Sequence, residues 1–176
     1  MISLLRKRRS IRQYTRQPVV GEELDILIEA LLRSPTSRNN KPWEFIVVDD
    51  PEVLSRLASA KPQGGSFLKD APLGIVIAAD SAKSDVWVED TAIAATLVQV
   101  TAQSLGLGSC WIQIRNRPHD ANTSAEEWIQ KLLGLPEHLR VASIVSIGYP
   151  AESPAPIAWR DLDYHKVKRN HYSKNL

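Results

Sequence analysis

The 176-residue sequence is poor in the residues that most often announce a chemistry. It has one cysteine, Cys110, so it can close no internal disulfide and build no cysteine-based metal cluster, and a reducing compartment, the cytoplasm, is expected. Its four histidines, His119, His138, His165 and His171, are scattered in expected loops and the tail. There is no H-E-x-x-H, no Walker loop and no G-x-G-x-x-G after a strand, so zinc hydrolysis, P-loop chemistry and a Rossmann dinucleotide site all lack support. No nucleophile, base and orienting acid form a convincing triad. No apolar run approaches the roughly 20 residues of a spanning helix. Met1 to Leu5 is too short to be the apolar centre of an export signal, so no membrane association is expected.

Acid is missing where base is dense. Residues 1–16 carry six Lys/Arg and no Asp or Glu, and residues 160–176 carry five against Asp161 and Asp163. With a net charge of +2, the body between is −7. Basic ends on an acidic body suit a nucleic-acid arm, a pocket for a compact anion, or a plain solvated terminus. A nucleic-acid module would interleave aromatics with the cations, and only Tyr14, Tyr164 and Tyr172 offer that, so no nucleic-acid partner is expected.

The length suits a single domain, residues 1–176, with no repeat or low-complexity segment. Apolar spacing and early acids predict a helix over 21–33. Glu44 to Val48 reads as a buried strand, Pro51 opens a short helix to about Ala60, and 61–65 is a loop. Strands follow at 73–79, 110–114 and 141–147, with a helix over 124–133 opened by a Ser124/Glu127 capping box. Residues 86–107 form a long helix that is apolar around most of its circumference and so is expected to be covered on most sides. The Pro-rich tail from Ala151 shows no core pattern and is expected to wrap a partner subunit.

Three segments carry chemistry. Arg8-Arg9-Ser10-Ile11-Arg12 sets guanidinium groups and a hydroxyl close together, suited to forked hydrogen bonds to phosphate. Ser34 to Trp43 is a stiff polar loop between prolines, equally readable as a capped turn. Leu105-Gly106-Leu107-Gly108-Ser109-Cys110-Trp111 lets backbone approach something closely, or simply caps a helix. In this order, with Asp70-Ala71-Pro72, Leu133 to Glu137 and Ile147 to Pro150, they resemble the nitroreductase-like flavoenzymes over about Arg6 to Tyr149.

The resemblance implies an α/β (α+β) fold. A central mixed, mostly antiparallel sheet is flanked by helices, and the C-terminal tail is exchanged between the subunits of a homodimer. It implies FMN as cofactor and NAD(P)H as hydride donor, with a small electron-poor acceptor such as a nitroaromatic or quinone. Arg8, Arg9, Ser10 and Arg12, with Arg160, fall where the family holds the FMN phosphate and ribityl chain. Pro35, Thr36, Ser37 and Asn39 fall on the loop that reaches the flavin from the other subunit. Backbone around Cys110, Trp111 and Ile112 falls near the ring, where an N–H donor steadies negative charge. Lys41, Gln113 and Trp159 depart from the family pattern. Only about ten residues separate the second strand from the long helix, which leaves little material for a lid and implies an open pocket across the dimer seam. Dehalogenation, flavin cleavage, or flavin binding without turnover are alternative uses of the same scaffold.

Overall fold

The computed structural model describes residues 1–175. Four strands, β1 (Trp43–Val48), β2 (Leu73–Asp80), β3 (Gly108–Gln113) and β4 (Leu139–Gly148), form one sheet in the order β1-β2-β4-β3, with every pairing antiparallel. The sheet is therefore antiparallel throughout and not mixed; an isolated parallel bridge, Ser10 to Ser109, lies on the outer edge of β3. Residues 73–79 are all buried, as are all residues of β4 except Arg140, so these central strands read as apolar runs rather than alternations.

The flanking helices are α1 (Ile2–Lys7), α2 (Glu22–Leu32), α3 (Pro51–Ala58), α4 (Trp87–Ser104) and α5 (Ala125–Leu133). Their ends follow from local chemistry. The Asp50 carboxylate accepts from the N–H groups of Glu52 and Val53 at 2.8 and 3.0 Å, and Pro51 takes the first helical position, where its missing donor costs nothing. In α5 the Ser124 and Glu127 side chains cap each other's backbone N–H groups, and Gly134 ends the helix at φ 66°, a left-handed cap that glycine adopts without strain.

The sheet has a core on each face. On one, Val76, Ala78, Ile112, Ile114, Val141 and Ile144 pack against α3, α5 and the turn at Ser66–Asp70. On the other, Leu73, Ile75, Ile77, Val145 and Ile147 pack against α2 and α4 through Leu27, Leu31, Ala94, Ala95, Val98 and Ala102. Burying each large aliphatic side chain in these layers contributes about 1.5 to 3 kcal/mol. Helices thus cover both faces of the one sheet.

Three expectations are refined. The N-terminal segment contains a helix, α1, with no buried residue and therefore no apolar periodicity to reveal it. The long helix is not covered all round: Ile93 and Thr96 are exposed, and with Ala92 and Leu97 they form an apolar stripe. The tail is ordered by short turns at Trp159–Asp161 and Tyr164–Lys166 and by a two-stranded hairpin, β5 (Lys168–Arg169) and β6 (His171–Asn175). Its first residues bind the chain's own N-terminal segment: Ala151 donates to the Gln13 carbonyl at 2.9 Å, and the Glu152 carboxylate accepts from the Gln13 N–H at 3.1 Å and from the Arg12 N–H. Beyond Pro154, every residue to Lys174 except Lys168 is exposed. Among the described residues no helix is long and apolar enough to cross a membrane, and no cluster of His, Cys, Asp or Glu could hold a metal ion.

Candidate functional site

The site is built on the open edge of β3. Ser10 and Ile11 run alongside Ser109, with the Ile11 N–H donating to the Ser109 carbonyl at 3.0 Å. Gly108 makes this approach possible, since a Cβ there would lie 2.8 Å from three carbons of Ile11. Tyr14 fastens the segment from behind: its hydroxyl donates to the Ile11 carbonyl at 2.5 Å and lies 2.7 Å from the Ser146 hydroxyl. Burial pushes the Tyr14 phenol well above its ordinary range, so it stays a neutral donor. The arginine motif is thus pinned to the sheet.

Strand alternation then decides what faces outward. Ser109 turns its carbonyl to the free edge, so the backbone groups of Trp111 and Gln113 also turn to that edge, while those of Cys110 and Ile112 pair inward with β4. The side chains of Cys110 and Ile112 are buried in the core. The Trp111 Nε1–H donates to Gln113 Oε1 at 3.0 Å, and Gln113 Nε2–H to the Arg115 carbonyl at 2.9 Å, so the Gln113 amide is engaged locally. What this edge offers a flat ligand is backbone N–H.

A positive field surrounds its beginning. Burial pushes the Cys110 thiol up, opposed by the Arg12 charge, a hydrogen bond with Ser10, and the charges of Arg8 and Lys61. Burial, then the Arg117 charge, pushes Lys61 down. The charges of Arg8, Arg12 and Lys61 thus all act on Cys110, and that of Arg117 acts on Lys61. None of these three side chains forms an ion pair among the described residues; the Arg12 guanidinium lies 5.8 Å from the centre of the Phe67 ring. Cations without an ion-pair partner, with the Ser10 hydroxyl and the outward N–H groups of β3, form a donor set that fits a phosphate followed by a planar heteroaromatic ring.

Two expected members stand apart. Arg9 donates to the Ala155 carbonyl and so holds the start of the tail. Arg160 is exposed on the tail, 3.9 Å from Asp161. The loop bearing Pro35, Thr36, Ser37 and Asn39 lies at the amino end of α4. No hydrogen bond, ion pair or ring contact among the described residues joins it to the arginine group. It is tightly formed nonetheless: Thr36 Oγ1 accepts from the Lys41 N–H at 3.0 Å, and the Ser37 N–H donates to Asp90 Oδ1 at 2.9 Å. Arg38, Asn39 and Lys41 all have positive φ, at 50°, 58° and 46°.

Lys61 is the residue that sequence reasoning missed. It precedes Pro62 and paired glycines in a segment read only as a connection. The link that places it comes from elsewhere in the chain: His119 Nδ1 lies 3.2 Å from the Ala60 carbonyl, its ring stacked on Trp128 at 4.3 Å.

A family model described as the nitroreductase family matches residues 5–64 and 59–149. The chain belongs to the nitroreductase family. A solved FMN-dependent nitroreductase from Clostridium difficile is 49% identical, with a TM-score of 0.96 over 98% of this chain and 100% of that one. A protein of Methanothermobacter thermautotrophicus, named for NADH dehydrogenase and NAD(P)H nitroreductase activity, is 34% identical over 92% of this chain and 82% of its own length. An FMN reductase of Bacillus subtilis that uses NAD(P)H is 30% identical over 88% and 68% respectively. The nitroreductase-type architecture expected from the motifs is the one observed.

Proposed function

We propose that this nitroreductase-family chain is an FMN-dependent oxidoreductase that takes hydride from NAD(P)H and reduces a small electron-poor acceptor, a nitroaromatic or a quinone. The observation that carries the reading is the Arg8–Arg12 segment pinned along the open edge of β3, with Arg8, Arg12 and Lys61 free of ion-pair partners and their charges all acting on Cys110 at that edge. A phosphate dianion compensates that charge, and the N–H groups further along β3 meet the ring. The relatives named for FMN and NAD(P)H support the same cofactors.

Arg8, Arg9, Ser10, Arg12 and Arg160 hold the phosphate and ribityl chain; Arg9 keeps donors to spare beyond the Ala155 carbonyl, since a guanidinium carries five. Pro35, Thr36, Ser37 and Asn39 of a second copy close the ring from the other side, which accounts for the separation of the two groups within one chain. The assembly is a homodimer with two composite sites, and the exposed tail wraps the partner. FMN supplies the hydride-accepting and hydride-donating centre when bound, so the chain need only orient, stack and compensate charge. Donor and acceptor use one open face in turn, a ping-pong sequence. A compact phosphate accounts for the basic cluster without a nucleic acid, and the single buried Cys110 supports a cytoplasmic location.

The visible spectrum is the test. Purified or FMN-reconstituted protein should be yellow, and NADH or NADPH should bleach it anaerobically. Flavin held but reduced by neither nucleotide would remove the oxidoreductase reading, and no flavin affinity at all would remove the cofactor reading.

A further inference from the structure

Asp90 sits in the first turn of α4, is 2% exposed, and forms no ion pair among the described residues. Its carboxylate is satisfied by two neutral donors: the Ser37 backbone N–H on Oδ1 and the Ser84 hydroxyl on Oδ2, each at 2.9 Å. Burying a carboxylate on two neutral donors costs free energy, and the amino end of α4 offsets only part of that cost. Stability of the helix alone does not call for it, because the exposed Glu89 beside it already places an acid in the same turn.

The loop it reaches needs an outside support. Three non-glycine residues, Arg38, Asn39 and Lys41, are held in left-handed backbone, a strained state that persists only where the surroundings over-determine it. Three bonds inside the loop run from Asn39 and Lys41 to Thr36 and from Asn40 to Ser37. Among the described residues, the bond from the Ser37 N–H to Asp90 is the one hydrogen bond that leaves residues 36–41. Ser84 fixes the other carboxylate oxygen and so the direction in which Asp90 points.

We propose that Asp90 is a positioning residue for the cofactor: its buried carboxylate, steered by Ser84, holds residues 36–41 in the strained shape that meets FMN across the subunit seam. The inference rests on the FMN reading above. Asp90 touches neither flavin nor substrate and acts through the Ser37 backbone. The loop therefore pays its ordering entropy on folding and not on binding, which is how preorganisation raises affinity.

The experiment titrates apoprotein with FMN and follows amide exchange of the apoprotein in parallel. Asp90→Ala is expected to weaken FMN at least tenfold and to speed exchange at Ser37 to Lys41, with α4 and β2 as protected as in the wild type. Asp90→Asn is expected to bind FMN nearly as the wild type does, since Oδ1 still accepts from Ser37 and Nδ2 can donate to the Ser84 oxygen. Wild-type affinity in a folded Asp90→Ala variant overturns the proposal. So does an Asp90→Asn variant no better than Asp90→Ala, or loss of protection throughout α4, which would mark a merely structural role. Should Asp90→Ala not fold, Ser84→Ala decides: a loss of a few-fold is expected, and unchanged affinity overturns the proposal. A wild-type protein that binds no FMN fails at the first titration, a result separable from all of these.

Discussion

Lys61 is partly buried beside Arg117, with no carboxylate in ion-pair reach, so its charged form is held at a cost that a bound anion removes. Its proton affinity is lowered on folding, so above the lowered value the unfolded chain binds more protons and stability rises with pH up to the ordinary lysine range. FMN affinity should fall over the same interval, because the phosphate and ring lose a cation. Lys61→Met is expected to be at least as stable as the wild type as apoprotein, to bind FMN more weakly, and to lose both alkaline trends. Calorimetry and flavin titration from neutral pH upward check this, and a Lys61→Met apoprotein less stable than wild type would contradict it. Arg12→Ala probes the phosphate end. It should cost FMN on the order of 1.5 to 3 kcal/mol and riboflavin far less, since riboflavin has no phosphate to lose. Equal weakening of both ligands would place Arg12 elsewhere. The arginines were legible because five adjacent residues carry the whole signal. Lys61 was not, because its loop is tied down from far along the chain, by His119 at the Ala60 carbonyl, and a single lysine in a Gly-Pro loop looks like any other.

At the scale of elements, legibility followed burial. Strands β2 and β4 announce themselves as apolar runs, and the ends of α3 and α5 are spelled out by Asp50-Pro51 and by Ser124 with Glu127. Helix α1 and the tail hairpin bury almost nothing, so neither leaves a period in the sequence. β3 starts two residues before the strand that the sequence suggests, because Gly108 reads as a helix stop. Its role is set by a neighbour: Ile11 occupies the space a Cβ would need. Gly108→Ala should therefore push the Ser10–Ile11 segment off β3, lowering the melting temperature and weakening FMN together. A variant with unchanged flavin affinity would show that the cofactor does not depend on this pairing. Ser124→Ala serves as the contrast. Losing the α5 cap touches no contact of the Ser10–Ile11 segment, so it should cost about 1 kcal/mol of stability by denaturant titration without moving that segment off β3.

For the whole molecule, the question is which faces of α4 and the tail are left for a second copy. The sequence shows only that α4 is apolar around most of its circumference. The structure divides that circumference, with Ala94, Ala95, Val98 and Ala102 in the core and Ala92, Ile93, Thr96 and Leu97 on an open stripe. Exposed Ile157, Trp159, Leu162 and Tyr172 on the tail add apolar surface of the kind that obligate interfaces cover. A charge on the stripe and a charge in the core should therefore have different consequences. Val98→Glu buries an unpaired carboxylate at a fully buried position and should unfold the subunit. Leu97→Arg should leave the subunit folded and separate the proposed dimer. If each flavin is held by Arg8 and Arg12 of one copy and the 36–41 loop of the other, dissociation and FMN release are linked, and each must shift the other by the same free energy. Dilution of Leu97→Arg, followed by mass and flavin fluorescence together, should show FMN leaving as monomer forms, and added FMN should restore dimer. A folded Leu97→Arg monomer that binds FMN as tightly as the wild type would place the whole site within one chain.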